Sequence, residues 1–455
     1  MRGVEAIFEP KHVALIGSSR IQEKVGMSSP QLFESVAYNM RKFFHGKTYV
    51  LDVEKARKRG AIERLSKVPE LAVIMLPPKQ SIPIVEECAE KGVKAIVIIT
   101  GGYKDSHRQK LLQIKEEYGT RILGPNTIMG VINTANGLNT TFEKGVMPEK
   151  GNIAVVSQSG GVGAYLLDWA CYYKIGISKF AFMGDKVDVD DVDLLQYLGK
   201  DEETKVICLY MEGVKDGRKL IHEARKIVGK KPILALKGGA TKESAHRAKS
   251  HTASIAGSNE IFSAALKKAG IIGVEDMEEL MNAAIALSKQ PPMRGDRVAI
   301  VSNVGGPAIL AADAVVKEGL KLANLSEKTK TQIERLYPGV DATNPIDIIA
   351  DARAERYEKV LKLVLSDENV DGVLIINMLK SCFFEPEDAH VIHKVVAKHP
   401  EKPVVDVPAG GEDFTLVHKV LGETSIPVYN LPEKAVRALK ILRAYGKILE
   451  NINYI

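Results

Sequence analysis

Apolar residues in this chain gather into short unbroken runs. Each run closes on a small or glycine-rich turn and is followed by the three-to-four spacing of an amphipathic helix. Three runs stand out as beginnings: His12–Ser19, Asn152–Gly161 and Arg297–Gly306. The second and third are nearly superimposable, a strand followed by Ser-Gln-Ser-Gly-Gly or Ser-Asn-Val-Gly-Gly. They start 145 residues apart (297 − 152), and an internal duplication is the simplest account. Further runs follow each start: 71–76 and 95–99, then 206–210 and 232–236, then 372–376 and 403–407. Runs this continuous, without polar alternation, predict strands buried on both faces, hence parallel sheets covered by helices. The pattern predicts three doubly wound α/β domains, at 1–140, 145–290 and 296–455, with Gln290–Gly295 as a linker. A length of 455 residues fits three cores of about 150 residues each.

Composition narrows the class. The hydrophobic share of 45% and charged share of 26% are those of a globular protein, and no apolar run is long enough for a membrane span. The N-terminus lacks a secretory apolar region, and Cys88, Cys171, Cys208 and Cys382 are scattered without ligand spacing. Both point to a cytoplasmic chain with reduced core thiols. The net charge of +6 is dispersed apart from a basic stretch at 41–67, which suits a solvated face or a polyphosphate ligand. Its aromatic content is too thin for nucleic acid.

In open α/β sheets, ligands bind beyond the carboxyl ends of the strands, where helix N-termini present unpaired N–H groups. Ser157, Gln158, Ser159, Gly160 and Gly161, and likewise Asn303, Val304, Gly305 and Gly306, are therefore candidate phosphate seats. The same glycines would also let helix and strand pack closely. The first turn, Gly17-Ser18-Ser19-Arg20, lacks the later glycines of a dinucleotide fingerprint. Asp52 keeps a nicotinamide reading open, while Lys24 suits a phosphate-rich ligand better. No P-loop pattern occurs. The acidic run Asp185, Asp188, Asp190, Asp191 and Asp193 lacks the glycine and terminal glutamate of a calcium loop and predicts a helix N-terminus, so no metal site is expected. His251 lies among small and hydroxyl residues, open enough to accept and pass on a phosphoryl group, although a helix-capping loop has the same look. Glu212 ends a buried run. Its carboxylate could accept a hydrogen bond from His251 Nδ1, leaving Nε2 as nucleophile, or could be a surface acid.

Together these residues resemble the α subunit of ADP-forming acyl-CoA synthetase, in the superfamily that includes succinyl-CoA synthetase. The landmarks are Ile16–Ser19 with Lys24–Gly26, Ile122–Asn126, Gly130–Thr134, Ser157–Gly160, Tyr210–Gly213, Leu236–Gly239, Ser250–Thr252, Asn303–Gly306 and Asn344–Asp347. They span essentially the whole chain. The resemblance implies a Rossmann-like CoA-binding domain followed by two flavodoxin-like domains. It implies CoA contacts at Gly17, Ser18, Ser19, Arg20, Lys24, Pro77, Thr100 and Gly101, and an additional phosphate contact at Asn126. It further implies that His251 is the phosphorylated residue, that Glu212 orients it, and that the helix starts after Gly160 and Gly305 face the phosphoryl group. Three positions depart from the family pattern: Ala253, Thr127 and Asp52. The implied reaction converts acyl-CoA, ADP and phosphate to carboxylic acid, ATP and CoA through acyl phosphate and phosphohistidine. Mg²⁺ and the nucleotide are expected on a separate ATP-grasp β subunit, in an α₂β₂ assembly. A non-catalytic CoA-binding sensor or scaffold is the rival reading, and an NAD-dependent enzyme a more distant one.

Overall fold

The computed structural model describes residues 2–19, 30–53, 62, 65–239, 241, 259–378, 389–421 and 424–452. They form two compact units, Met1–Glu275 and Asp276–Ile455.

The first unit holds two sheets. Strands β1 (His12–Gly17), β2 (Lys47–Asp52), β3 (Leu71–Met75), β4 (Ala95–Ile98) and β5 (Arg121–Leu123) form a parallel sheet in the order β2-β1-β3-β4-β5. Every residue of β3 and β4 is buried, as expected for strands covered on both faces by helices. The described helices of this part are α1 (Arg2–Phe8), α2 (Pro30–Phe43), α3 (Pro78–Glu90) and α4 (Asp105–Tyr118). The order reverses between β1 and β3, beyond Gly17 and Met75, the switch point at which open α/β sheets generally bind ligands.

The second sheet runs β12-β11-β10-β8-β9-β6-β7. Its parallel body is β8 (Lys150–Ser157), β9 (Ile177–Phe182), β10 (Val206–Met211), β11 (Ile233–Lys237) and β12 (Ile272–Val274). Two short strands, β6 (Val131–Asn133) and β7 (Leu138–Asn139), extend it antiparallel. Residues 131–139, which the sequence places in the first domain, are thus hydrogen-bonded into the second sheet. Helices α5 (Gly160–Tyr172), α6 (Asp191–Lys200), α7 (Gly217–Ile227) and α8 (Asn259–Ala269) complete this part.

The two sheets of this unit are clamped by the acidic run. Arg121 at the head of β5 reaches Asp188 at 2.8 Å and Asp193 at 3.0 Å, and Arg108 of α4 reaches Asp185 at 2.8 Å. Burial works against the Arg121 guanidinium, yet the two carboxylates hold it above its usual range. Asp190 caps α6 by accepting from Val192 and Asp193 N–H groups, so this run starts a helix as its composition suggested.

The second unit carries one parallel sheet, with β13 (Arg297–Ser302), β14 (Lys321–Leu322), β16 (Gly372–Asn377) and β17 (Val404–Pro408) in the order β14-β13-β16-β17, and β15 (Ile346–Asp347) also pairing β13. Its helices are α9 (Met277–Lys289), α10 (Gly305–Lys317), α11 (Glu327–Leu336), α12 (Ala354–Ser366), α13 (Ala389–Val396), α14 (Gly411–Leu421) and α15 (Pro432–Ile452). The stretch 290–295 is not a loose linker. Gln290 donates to Ser425 O at 2.6 Å and accepts from Val404 N at 2.7 Å, and the fully buried Met293 donates its N–H to Leu442 O. α9 belongs with this unit, where Tyr429 donates to Asn282 O at 3.0 Å and Lys434 pairs with Glu278. No described helix is long and apolar enough to cross a membrane.

Candidate active site

The carboxyl edge of the second sheet gathers the Ser157 turn and Glu212. β8 ends at Ser157, whose hydroxyl donates to Ser159 O at 2.7 Å and accepts from Ser159 N at 3.2 Å, folding the chain into a tight turn. Ser159 is the N-cap of α5 and accepts weakly, at 3.4 Å, from Val162 N. A side chain at Gly161 would meet nothing within 4 Å, so the first turn of α5 opens outward. Helix-start N–H groups at Gly160 and Gly161 are suitable donors to an anion.

Gln158 plays a different part from the one its place in a phosphate-seat motif suggested. It is 4% exposed and turned inward. Its Nε2 donates to Asp191 Oδ1 at 2.6 Å and to Gly213 O at 2.8 Å, while Oε1 accepts from Glu212 N at 2.7 Å and Gly213 N at 3.1 Å. Its backbone N–H goes to Tyr210 O. All its hydrogens are committed, and what it does is fix the turn after β10 against the turn after β8. Beneath it Lys186, 6% exposed and at a φ of 52°, donates to Asp191 and Gly213 O, both at 3.0 Å. Sequence reasoning missed this buried network. An acidic run before a helix gives no sign that one of its members faces a glutamine from a distant strand.

Glu212 is half-buried at the tip of β10. Tyr210 donates to its Oε1 at 3.4 Å, and burial together with the glutamate charge pushes the phenol up to about 12. Lys237, last residue of β11, donates to Glu212 O at 2.9 Å and Gly238 O at 2.6 Å, with its ammonium 5.1 Å from the Phe262 ring centre. Burial lowers its pKa, with the Glu212 charge opposing. Gly238 is required here, since a Cβ would lie 2.3 Å from the Tyr210 hydroxyl. His251 lies outside the described residues, as does Ala253.

The second unit repeats the turn. Ser302 Oγ donates to Val304 O at 2.8 Å and accepts from Val304 N at 3.1 Å, and Asn303 exchanges bonds with Met378, at 2.9 and 3.2 Å. Asn303, like Gln158, is turned inward to lock the tip of the neighbouring strand. Val304 is the N-cap of α10 but gives no side-chain cap, and Gly306 opens onto empty space.

At the first sheet, Ser19 donates to Asp52 Oδ2 at 2.5 Å, so the acid that departs from the family pattern braces the turn. Ser18 is buried, and the space a side chain would need at Gly17 is filled by the Phe33 ring. Pro77 opens α3. Thr100 spends its hydroxyl on Leu76 O at 2.6 Å, and Thr127 spends its own on Ile98 O at 2.8 Å. Gly101 admits Asn126 Oδ1, which would sit 2.8 Å from a Cβ there, and Asn126 Nδ2 donates to Asp185 at 3.2 Å. Thr100, Thr127 and Asn126 are thus tied into the protein by the groups one would first offer to a ligand. Arg20 and Lys24 lie outside the described residues. A cleft of about 730 Å³ lies elsewhere, at the amino ends of the strands, with Glu5, Glu9, Asp201 and Glu203 in its wall, a poor match for an anion.

Comparison with known proteins agrees with this layout. Residues 11–133 match a CoA binding domain, 150–287 a succinyl-CoA ligase like flavodoxin domain, and 298–446 a Ligase-CoA domain. The acetate–CoA ligase [ADP-forming] II subunit alpha of Pyrococcus furiosus is 37% identical over 459 residues, covering 98% of each chain. The acetate–CoA ligase [ADP-forming] I of Archaeoglobus fulgidus is 36% identical over 98% of this chain but only 64% of its own length. Among solved structures, the dinucleotide-forming acetyl-coenzyme A synthetase 1 of Ca. Korarchaeum cryptofilum, in complex with phosphate and ADP, superposes with a TM-score of 0.89. It shares 29% identity, with 100% of this chain and 99% of that one covered. The chain belongs to the family of ADP-forming acetate–CoA ligase alpha subunits.

Proposed function

We propose that this chain is the CoA-binding and phosphoryl-carrying subunit of a cytoplasmic ADP-forming acyl-CoA synthetase. Phosphate oxygen attacks the thioester carbonyl, the C–S bond breaks, and CoA leaves as the thiol, giving an acyl phosphate. His251 Nε2 then attacks phosphorus and the carboxylate leaves. The phosphohistidine finally yields its phosphoryl group to the terminal phosphate of ADP, forming ATP. Glu212 orients the imidazole and offsets its positive charge while it carries phosphate. Preorganised N–H groups at Gly160 and Gly161 take the developing phosphoryl charge without reorganising. The observation that carries this reading is the Gln158 bridge, which fixes the carboxylate-bearing tip of β10 beside an open helix start.

The crevice beyond Gly17 and Pro77 is the proposed CoA seat, with Ser18, Ser19, Thr100 and Gly101 along it, Thr100 acting through its backbone, and with Arg20 and Lys24 proposed as further CoA contacts. A partner subunit of ATP-grasp type in an α₂β₂ assembly is proposed to hold the nucleotide and Mg²⁺. That similar proteins are named as alpha subunits supports a separate partner. The decisive experiment is phosphorylation from acyl phosphate. His251→Ala should abolish acid-labile incorporation while CoA binding persists, whereas undiminished labelling of the variant would remove His251 from the reaction and favour a scaffold.

A further inference from the structure

In the second unit one acid is buried without a counter-charge. Asp406, in the middle of β17, is 0% exposed, and Asn377 Nδ2 donates to its Oδ1 at 2.7 Å. The other two atoms of this pair, Asp406 Oδ2 and Asn377 Oδ1, have no partner among the described residues. In an ionised pair both are acceptors and neither can satisfy the other. One proton on Oδ2 turns it into a donor, and an acid facing an amide can then close a ring of two hydrogen bonds. An orphaned buried acceptor is costly, and an unpaired buried charge more so.

The pair is wired to the Asn303 turn by two routes. Asn377 is followed by Met378, which exchanges bonds with the Asn303 side chain. The buried Tyr357 of α12 donates to Ile376 O at 2.9 Å, takes the Asn303 backbone N–H, and lies close enough to Asp406 that an ionised carboxylate there would push the phenol up. We propose that Asp406 is kept protonated as an acid–amide pair with Asn377, and that this neutral pair positions the Asn303–Gly306 turn. The second half rests on the reading of that turn as a phosphate seat. An ionised Asp406 would leave a buried negative charge close behind a seat meant for an anion.

The surroundings offer Asp406 little else. Tyr357 is the titratable group facing it from α12, and the same phenol feels Asp347 of β15, which lies beside Gly305. On α14, His418 is set against Lys289 of α9. The charged residues of α15 point elsewhere, Lys434 to Glu278, Arg437 and Lys440 to Glu318, and Arg443 to Asp296. Burial raises the Asp406 carboxyl to about 7, with Asn377 opposing. The folded pKa lies above the unfolded one, so the stabilisation is complete below the ordinary carboxylate range. It is lost as pH rises from there through about 7.

Asp406→Asn tests this, because an amide supplies the missing donor at every pH. In the full chain, the wild-type denaturation midpoint should fall between about pH 5 and pH 8, a dependence that Asp406→Asn should flatten. With the partner subunit present, the wild-type KM for phosphate should rise roughly three- to tenfold over that range relative to the variant, with kcat little changed. Infrared spectra of the wild type with ¹³C-labelled aspartate should show a buried protonated carboxyl that disappears at alkaline pH, a readout that needs no variant to fold. Absence of that band, or equal pH dependence of stability in both proteins, overturns the pair. A present band with unchanged phosphate KM in the variant overturns the positioning role alone. If phosphate is used by neither protein while the band persists, the functional reading fails and the pair stands.

Discussion

The turns after β8 and β13 share a backbone and differ in what stands behind them. Each begins with a serine folded onto the residue two places on, and each sends an inward amide side chain to the tip of the next strand. Behind the first lies a charged network, Lys186 and Asp191, with Glu212 at the strand tip. Behind the second lie Tyr357, Asn377 and Asp406, with Met378 in the place of the glutamate. On the proposed reading the scaffold builds an anion seat twice, and the residue at the neighbouring strand tip is what differs, Glu212 beside the first and Met378 beside the second. The acid nearest the second is Asp347, 3.9 Å from where a Cβ of Gly305 would lie. The shared geometry therefore speaks to binding, and the difference to chemistry.

The hardest test of that division is Glu212→Gln. Turnover should drop by roughly two to four orders of magnitude, the range for losing an orienting acid. Stability should move little, since the Tyr210 bond at 3.4 Å is weak and Lys237, whose charge Glu212 supports, keeps its two carbonyl acceptors. Wild-type turnover in this variant would make the two copies chemically equivalent. Next in size is Gln158→Leu, which strips donors from Asp191 and Gly213 O and an acceptor from two backbone N–H groups. Leaving such groups buried should cost on the order of 3 kcal/mol in chemical denaturation. A loss below about 1 kcal/mol would mean the turn holds without its bridge. The smallest effect is Val304→Ser, which gives α10 the cap that Ser159 gives α5. It should add about 0.5–1 kcal/mol and weaken phosphate binding, because the new hydroxyl competes for the same N–H groups. Tighter phosphate binding would show that the serine, rather than the bare helix start, is what the seat requires.

Much of this was legible from residue order. Strands buried on both faces write themselves as continuous apolar runs, so β1, β8 and β13 were readable, and so was the likeness of the turns after β8 and β13. The acidic run ending at Asp193 was readable as a helix start because capping is local, and Asp190 proves to be the cap. What escaped depends on pairings remote in sequence. The strands β6 and β7 are too short to announce an antiparallel extension. Gln290 looked like the edge of a linker because its partners, Val404 and Ser425, lie far along the chain. Gln158 sat inside a phosphate-seat motif, and nothing local says whether its side chain faces a ligand or the protein. The roles of Arg108 and Arg121 were hidden for the same reason, since their carboxylates belong to the next sheet.

Those two arginines bear on anyone wishing to borrow the CoA-binding fold as a cassette. A cut near residue 140 looks natural, yet it would strand two guanidiniums, one of them deep enough that burial opposes its charge, and detach β6 and β7 from the sheet that pairs them. The transferable part is the whole first unit. A cassette built to carry the proposed CoA crevice therefore has to carry the Glu212 sheet with it, as one structural block.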